Sequence, residues 1–463
     1  MWRVILAILL WPAASLRAEP LTAITDVILL DGRGGAPVRG VTVVVRGTTI
    51  ESVARKFAPL PAGARILKGG GRYLLPGFID MHAHLLVPRC EPPAGQSFPF
   101  DRPLSERVAA TLLAFGITTV RSPATPTVEG LRLRNDLNAG LVRGPRAFAS
   151  AEFINDSRLD EQGLRAYVRD ALRHRPDYFK VYSRLAPDQV AVVIDEAHRH
   201  KVPVIGHLQR TSWLEGALLG IDHLTHAVDW SEQSLKPEHR ASYRSAIEQR
   251  GPMRARLDWL QLVDPSSTEI TRMIAEIARR GISVDPTLVA YDSKFSDPAA
   301  ARYRRNRYVD LVPELKADWL GCPGATSDWT PDDHRRWTAL LPKLRQLVRM
   351  MHDAGVLLTT GSDLTNEWLI PGESLHQEFE LLAEAGIPLP AILRMTGENA
   401  ARALKKNDIG VVVPGRRADL VLLASDPLAN IGNTRSIVWV MQGGRIVSGK
   451  APPGSATPDR SRP

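Results

Sequence analysis

Leu74-Leu75-Pro76-Gly77-Phe78-Ile79-Asp80-Met81-His82-Ala83-His84 is an apolar run that ends in two histidines one residue apart. Along an extended strand, residues i and i+2 face the same side. The run therefore predicts a strand that delivers the imidazoles of His82 and His84 to one point, with Ala83 turned away. Two such nitrogens are half of a metal site. The pair alone is unspecific, since two histidines satisfied in a core are the commoner outcome of this spacing; the remainder of the chain decides.

Other short apolar runs also end in residues that can hold a metal. They are Tyr178-Phe179-Lys180, Val202-Pro203-Val204-Ile205-Gly206-His207, Gly220 through His223 to His226, and Val356 through Asp363. Eight strand-like runs lie between residues 73 and 363, ending near His84, Ser122, Ser150, Lys180, His207, His226, Leu288 and Asp363. Helix-like patterns occupy 105–115, 161–174, 187–200, 211–219, 266–280 and 335–354. Alternating strands and helices over about 290 residues predict an α/β fold of the (β/α)8 TIM-barrel kind, whose chemistry is done at the C-terminal ends of the strands. All the candidate ligands fall at such ends. Outside this region, 22–70 and 409–448 both read as short alternating strands separated by glycine turns.

The ordered motifs make the chain recognisable: Pro-Gly-Phe-Ile-Asp-Met-His-Ala-His at 76–84, Gly-Ile-Thr-Thr-Val-Arg at 116–121, Phe-Lys-Val at 179–181, Gly-His at 206–207, Thr-Thr-Gly-Ser-Asp at 359–363, Thr396 to Ala401, and Gly415 to Val421. From about residue 22 to about residue 450 the chain resembles the amidohydrolase superfamily, in the branch of imidazolonepropionase-like hydrolases and Xaa-Pro dipeptidases (prolidases). The resemblance implies a hydrolase barrel at 76–404. It further implies that the flanks 22–75 and 405–450 associate into one small β-sandwich beside it.

Ligand types suggest the chemistry. His82, His84, His207 and His226 offer neutral imidazole nitrogens and Asp363 a carboxylate, a set that suits two divalent metal ions, zinc the first choice. Lys180 is the odd member, because an amine of ordinary pKa is an ammonium at pH 7 and repels a cation. The resemblance implies that Lys180 is carboxylated and bridges the ions, with His82, His84 and Asp363 on one, His207 and His226 on the other, and a hydroxide between them. Such a pair lowers the pKa of the bridging water and polarises the scissile carbonyl. By the same resemblance Asp363 takes the proton and returns it to the leaving amine. Should Lys180 instead be ion-paired with a barrel carboxylate, the site holds one metal and the reading shifts to a mononuclear deaminase.

Competing assignments bear on single residues. His223 rivals His226 on the sixth strand; the register of Gly220-Ile221-Asp222 with the family pattern favours His226 and leaves His223 a structural or substrate-side place. Asp80 is expected beneath the site. His174, His198, His200, His239, His334, His352 and His376 are expected to be solvated or packed. Where relatives continue with Asp and a glycine pair after Arg121, this chain has Ser122-Pro123-Ala124. Segments 227–265 and 290–334, with tryptophans at 230, 259, 319 and 329, form either a substrate wall or plain packing on the rim.

For the substrate, the expectation is a small amide: a dipeptide of Xaa-Pro type or an N-acyl amino acid. Arg121, Tyr182, Arg184, Tyr291 and His223 are the candidates to contact it. Cyclic-amide or lactone hydrolysis is the alternative, and a non-catalytic metal- or ligand-binding secreted barrel is the alternative of another class.

With 463 residues, 44% hydrophobic and 24% charged, the chain has material for a large core and is not a low-complexity protein. Its net charge of +9 raises the question of nucleic acid. The arginines, however, are scattered through the helices without a basic block, which argues for a solvated surface and no nucleic-acid partner. Residues 1–18 read as a secretory signal peptide: Arg3, an apolar run from Val4 to Trp11, and small residues to Ala18. That run is shorter than the roughly 20 residues of a membrane span. A periplasmic or secreted enzyme without a stable membrane span follows, compatible with a homo-oligomer. Cys90 and Cys322 could pair in such a compartment. Residues 451–463 read as a disordered tail.

Overall fold

The computed structural model describes residues 19–55, 59–87, 100–296, 303–322 and 324–449. The expected signal peptide, the tail at 451–463 and the Cys90 end of a Cys90–Cys322 bridge lie outside them.

Among the described residues fifteen strands follow one another as β1 (Leu21–Leu29), β2 (Val38–Arg46), β3 (Thr49–Arg55), β4 (Arg65–Pro76), β5 (Phe78–Asp80), β6 (Ile117–Ser122), β7 (Arg146–Ala149), β8 (Phe179–Val181), β9 (Val204–Gly206), β10 (His223–Thr225), β11 (Ser283–Asp285), β12 (Leu357–Leu358), β13 (Leu420–Leu423), β14 (Ile437–Gln442) and β15 (Arg445–Gly449). Successive residues of the terminal strands face opposite sides of their sheet, and the middle of β2 and all of β13 are buried on both. Val41, Val43 and Val45 of β2 share a core with Leu420 and Leu422 of β13 and with Trp439 and Met441 of β14. β4 runs parallel to β1 and antiparallel to β13. Both chain ends therefore enter one seven-stranded sheet, in the order β15-β14-β13-β4-β1-β2-β3. The flanks expected to form a β-sandwich meet in this one sheet, and its residues build a core cluster separate from that of the barrel region.

β5-β6-β7 and β8-β9-β10-β11-β12 form two parallel sheets. β5, β6, β8, β9, β10 and β11 are buried throughout, as parallel strands covered on both faces must be. Parallel bridges Ser150↔Tyr178 and Ile154↔Val181 span one gap between the sheets, and Ala83↔Leu364 spans the other.

Two expected strands are corrected. The run from Leu74 to His84 breaks at Gly77: Leu74 and Leu75 pair with β13, and only Phe78 to Asp80 join β6. Gly77 packs where a Cβ would stand 2.2 Å from the Thr118 hydroxyl, so the crossing of the two sheets needs glycine there. The seventh strand ends at Asp285 rather than near Leu288, because Pro286 cannot donate to the ladder and Leu288 opens the helix Leu288–Phe295.

Helices connect the strands with legible signals. In Thr268–Arg280 the buried positions Ile270, Met273, Ile274 and Ile277 follow the helical period, Ser267 caps the start and Gly281, at φ 66, closes the end. Trp213–Leu219 carries the Ser212/Glu215 capping box and ends at Gly220, which aims the chain into β10. Segment 227–265 contributes Pro237–Arg254, kinked at Gly251 and Pro252, followed by Arg256–Leu262. No helix of the described residues is long and apolar enough to cross a membrane.

Candidate metal centre

β5 ends at Asp80, and the next four residues are wedged between the ends of β6 and β12. Met81 N–H donates to Thr360 O (2.8 Å), Ala83 N–H to Arg121 O (3.0 Å) and His84 N–H to Leu364 O (3.2 Å), while Asp363 N–H donates to His82 O at 2.6 Å. Asp80 is buried and is no ligand. Its carboxylate accepts from His82 N, Ser362 N and Ser362 Oγ, tying the two strand ends together, and burial pushes it up to about 6. These bonds hold Asp363 at φ 57, a left-handed conformation costly for a non-glycine residue. His226 shares that feature, at φ 78, pinned by its N–H to Asp285 O (2.8 Å).

The result is a compact set: one ligand atom each from His82, His84 and Asp363, all within 4.8 Å of one another. Oδ1 of Asp363 lies 3.1 Å from His82 Nε2 and 3.3 Å from His84 Nε2. The His226 ring is centred 5.1 Å from that of His82, and its Nε2 is 2.7 Å from Nδ1 of His207. Buried Lys180 stands beside Tyr182, which stacks on His207 with centroids 4.0 Å apart. Lys180 forms no ion pair among the described residues.

The outer ring nitrogens decide which atoms face inward. Nδ1 of His82 meets Asp285 Oδ2 (2.7 Å), that of His84 meets Ala124 O (3.1 Å) and that of His226 meets Thr287 Oγ1 (2.8 Å). Asp285 and the Ala124 carbonyl can only accept, so they hold the proton on Nδ1 of His82 and His84 and leave an Nε2 lone pair for a metal, while the Thr287 hydroxyl fixes the orientation of the His226 ring. His82 Nε2 is buried without a hydrogen-bond partner. That orphaned nitrogen, beside a second imidazole and a carboxylate, fits a divalent cation.

The charge states of three of the four imidazoles agree with that use. Burial holds His84 below its ordinary range, and burial aided by the neighbouring histidine and Lys180 holds His207 and His226 well below it; the rings are neutral and able to coordinate. Burial pulls His82 down too, but Asp363 and Asp285 outweigh it and raise it. Burial works against the Asp363 carboxylate, yet His82, His84 and His226 hold it well below its usual range. Burial brings the Lys180 amine down to about 8, against the opposing pull of Asp363.

Other sequence candidates fall elsewhere. Arg121 is fully buried behind the site, Nη2 donating to Asp285 Oδ1 (2.5 Å) and Nε to Met81 O (2.7 Å); shut off from solvent and held by these two bonds, it is placed to support the site rather than to meet a substrate. His223 lies one layer deeper, bonded to Ser283 Oγ (2.6 Å) with its ring edge-on to Tyr178. Arg184 is exposed on a loop. Tyr291 is buried, its hydroxyl accepting from Trp230 Nε1 and its ring 6.0 Å from His226. His376 is packed between Thr434 and Phe115 O. Trp230, Trp259, Trp329 and Trp337 join Tyr291 and Phe295 in one aromatic cluster, so these two segments pack together beside His226.

Asp285 and Thr287 were missed in the sequence because the seventh strand was extended to Leu288. Asp285 before Pro286 is a carboxylate at a strand's C-terminal end, a signal as good as that of Asp363.

A model of the amidohydrolase family matches residues 73–447. The chain is similar to an adenine deaminase of Serratia proteamaculans (strain 568), 31% identical over 87 residues, which is 19% of this chain and 15% of that protein's length. Among solved structures, it superposes on a bottromycin amidohydrolase with TM-score 0.68 at 21% identity, covering 93% of this chain and 87% of that one. A prolidase complexed with N-methylphosphonate-L-proline gives TM-score 0.67 at 21% identity, with 93% and 100% covered. At such identities the superpositions speak for the fold.

Proposed function

The chain belongs to the amidohydrolase family, hydrolases that act on carbon–nitrogen bonds, and from that premise we propose that it cleaves the amide bond of a dipeptide, of Xaa-Pro type, or of an N-acyl amino acid. One observation carries the reading: His82, His84 and Asp363 converge at the strand ends with an orphaned inward nitrogen. The names of the similar structures, a prolidase and a bottromycin amidohydrolase, support the substrate class. The parallel bridges across both gaps between the sheets support reading β5 to β12 as a closed (β/α)8 barrel.

His82, His84 and Asp363 would hold one divalent ion and His207 with His226 a second, with Lys180 between. Such ions, zinc the first choice, lower the pKa of a water and polarise a carbonyl. The chain's own groups do the rest. Lys180, with an amine at about 8, has a neutral fraction at pH 7 of roughly a tenth, far more than a solvated lysine. Addition of CO2 to the neutral amine forms an N–C bond, releases one of the amine's N–H protons to solvent and leaves an anionic carbamate. Asp363, held deprotonated, takes the proton of the attacking water and delivers it to the departing amine nitrogen. Asp285 and the Ala124 carbonyl hold His82 and His84 in the coordinating tautomer, and Thr287 orients the His226 ring. Export through residues 1–18 is part of the proposal, tested by N-terminal sequencing of the mature protein.

Metal content and activity on a dipeptide and N-acyl amino acid panel, measured for the protein and for Lys180→Ala grown with zinc and bicarbonate, test this reading. About two ions per chain, lost together with activity in the variant, is the expected result. One ion unchanged by the substitution would replace it with a mononuclear deaminase.

A further inference from the structure

At the end of the strands opposite the metal ligands lies a hollow of about 400 Å3 that the chemistry above does not use. Contacts of the segment 389–416 fix its place. Thr396 Oγ1 accepts from Ile79 N–H (3.1 Å), and Asn399 Nδ2 donates to Leu358 O (2.9 Å). Lys405 reaches Asp222 (3.4 Å), the residue before β10, whereas the ligand His226 follows that strand. Ala400, Ala401, Leu404 and Ile409 pack with Ile79, Phe148 and Ile205.

Three glycines join the walls of the hollow. A Cβ on Gly32 would stand 2.5 Å from Gly410 O, one on Gly397 2.7 Å from the same oxygen, and one on Gly410 2.6 Å from Gly397 O. Backbones this close admit no side chain. The loop at 31–35, the helical stretch 389–403 and the loop 405–416 are thereby held against one another. Each brings cations to the hollow: Arg33 from the first, Arg394 and Arg402 from the second, Lys406 and Arg416 from the third. The helical stretch also widens into a π turn over Met395–Asn399, a form frequent at functional sites.

Glu398 is the carboxylate among the lining residues, and Arg394 already holds it at 2.8 Å. Arg402, Lys406 and Arg416 have no ion pair and no side-chain hydrogen bond among the described residues, and Lys406 rests on the Phe148 ring at 5.3 Å. Arginines on other helices do find carboxylates: Arg165 and Arg169 hold Glu196, and Arg279 and Arg280 hold Glu276. Like charges gathered without counter-charges repel one another. An anion entering the hollow relieves that repulsion and takes several charge-assisted hydrogen bonds at once. A single carboxylate is satisfied by one guanidinium fork. Five cations around one carboxylate suit a multivalent anion with oxygens on several sides, which is the character of phosphate.

We propose that this hollow is a second ligand site, which binds a small phosphate-bearing group of more than one negative charge through Arg402, Lys406 and Arg416. A soluble phosphate ester and a phospholipid headgroup share this chemistry, and the test separates them. The assignment is independent of the bond cleaved at the metal centre.

Fructose bisphosphate is titrated calorimetrically into the metal-loaded protein, into Arg402→Gln/Arg416→Gln, and into Arg132→Gln/Arg173→Gln, which removes the same charge from exposed positions elsewhere. Sedimentation with phosphatidylcholine vesicles, with and without cardiolipin, is run on the same three proteins. The bisphosphate is expected to bind the parent and the Arg132/Arg173 variant alike, and the Arg402/Arg416 variant on the order of 10- to 100-fold more weakly. Arg402→Lys/Arg416→Lys should recover part of the loss. Should the double glutamine variant fail to fold, Arg402→Gln alone reads the same loss. Retention on cardiolipin vesicles that follows this pattern, without binding of the sugar, assigns the phosphate to a lipid headgroup. No binding of either probe by the parent, or binding that Arg402 and Arg416 do not govern, overturns the proposal; an anion held at the metal centre would give that second result.

Discussion

Replacing Asp285 separates what holds the fold from what readies the metal site, because one buried carboxylate does both. Oδ2 accepts from His82 Nδ1 at 2.7 Å and Oδ1 from Arg121 Nη2 at 2.5 Å, all three groups being shut off from solvent. Asp285→Ala strands the Arg121 guanidinium, whose Nη1 already lacks a partner. Breaking a buried pair costs about 3–5 kcal/mol. Asp285→Asn preserves the volume and an oxygen for Arg121, so about 1.5–3 kcal/mol is expected. Metal binding should rank the other way. In the alanine variant His82 Nδ1 can still give its proton to a water, and the lost partner weakens affinity about 10-fold. In the asparagine variant the amide NH2 faces Nδ1, which must then accept; the ring proton moves to Nε2 and the inward lone pair is lost. About 100-fold weaker binding or more is expected there. Urea unfolding of the metal-free proteins reads the first ranking and competition with a chromophoric chelator the second. An asparagine variant that binds metal as the parent does, or one ranking shared by both measurements, would refute the tautomer argument.

Gly361→Ala should damage the same site by crowding, since a Cβ there would stand 2.7 Å from His82 Cβ and 3.3 Å from that of Asp285; about 1–3 kcal/mol of stability and a measurable loss of metal affinity are expected, and a variant as stable as its parent by urea titration would show that the strand ends have slack. Glu196 gives a pH test away from the site: Arg169, and with it Arg165, hold its carboxylate down to about 2 against an ordinary 4.5. A depressed folded pKa gives stability that is present above about pH 4.5 and lost as the pH falls toward 2. The thermal midpoints of the parent and Glu196→Gln should therefore converge on acidification across that window, and a gap that stays constant from pH 5 to pH 2 would remove the linkage.

Much of the architecture was legible because it rests on local patterns. The valine alternation of β2, the capping residues Ser212 and Ser267 and the closing glycines 220 and 281 declare themselves within a few positions. Gly77 and Pro286 did not, since an apolar run looks the same whether it stays in one sheet or crosses between two, and both strand ends were misjudged there. At the site, the reading found side chains that face inward and missed those behind them. Arg121 was assigned to a substrate because a strand end was all that could be seen; its engagement with Asp285 joins residues 164 positions apart.

The chain by itself determined its family, the alternation of strands and helices, and the residue types able to bind a metal, since each depends on period, spacing or the chemistry of a single side chain. Only the tertiary structure decided which ring nitrogen faces inward and that Asp285 rather than solvent answers His82. Those properties are set by groups brought together from strands far apart in the sequence, and no local pattern records a partner that folding alone supplies.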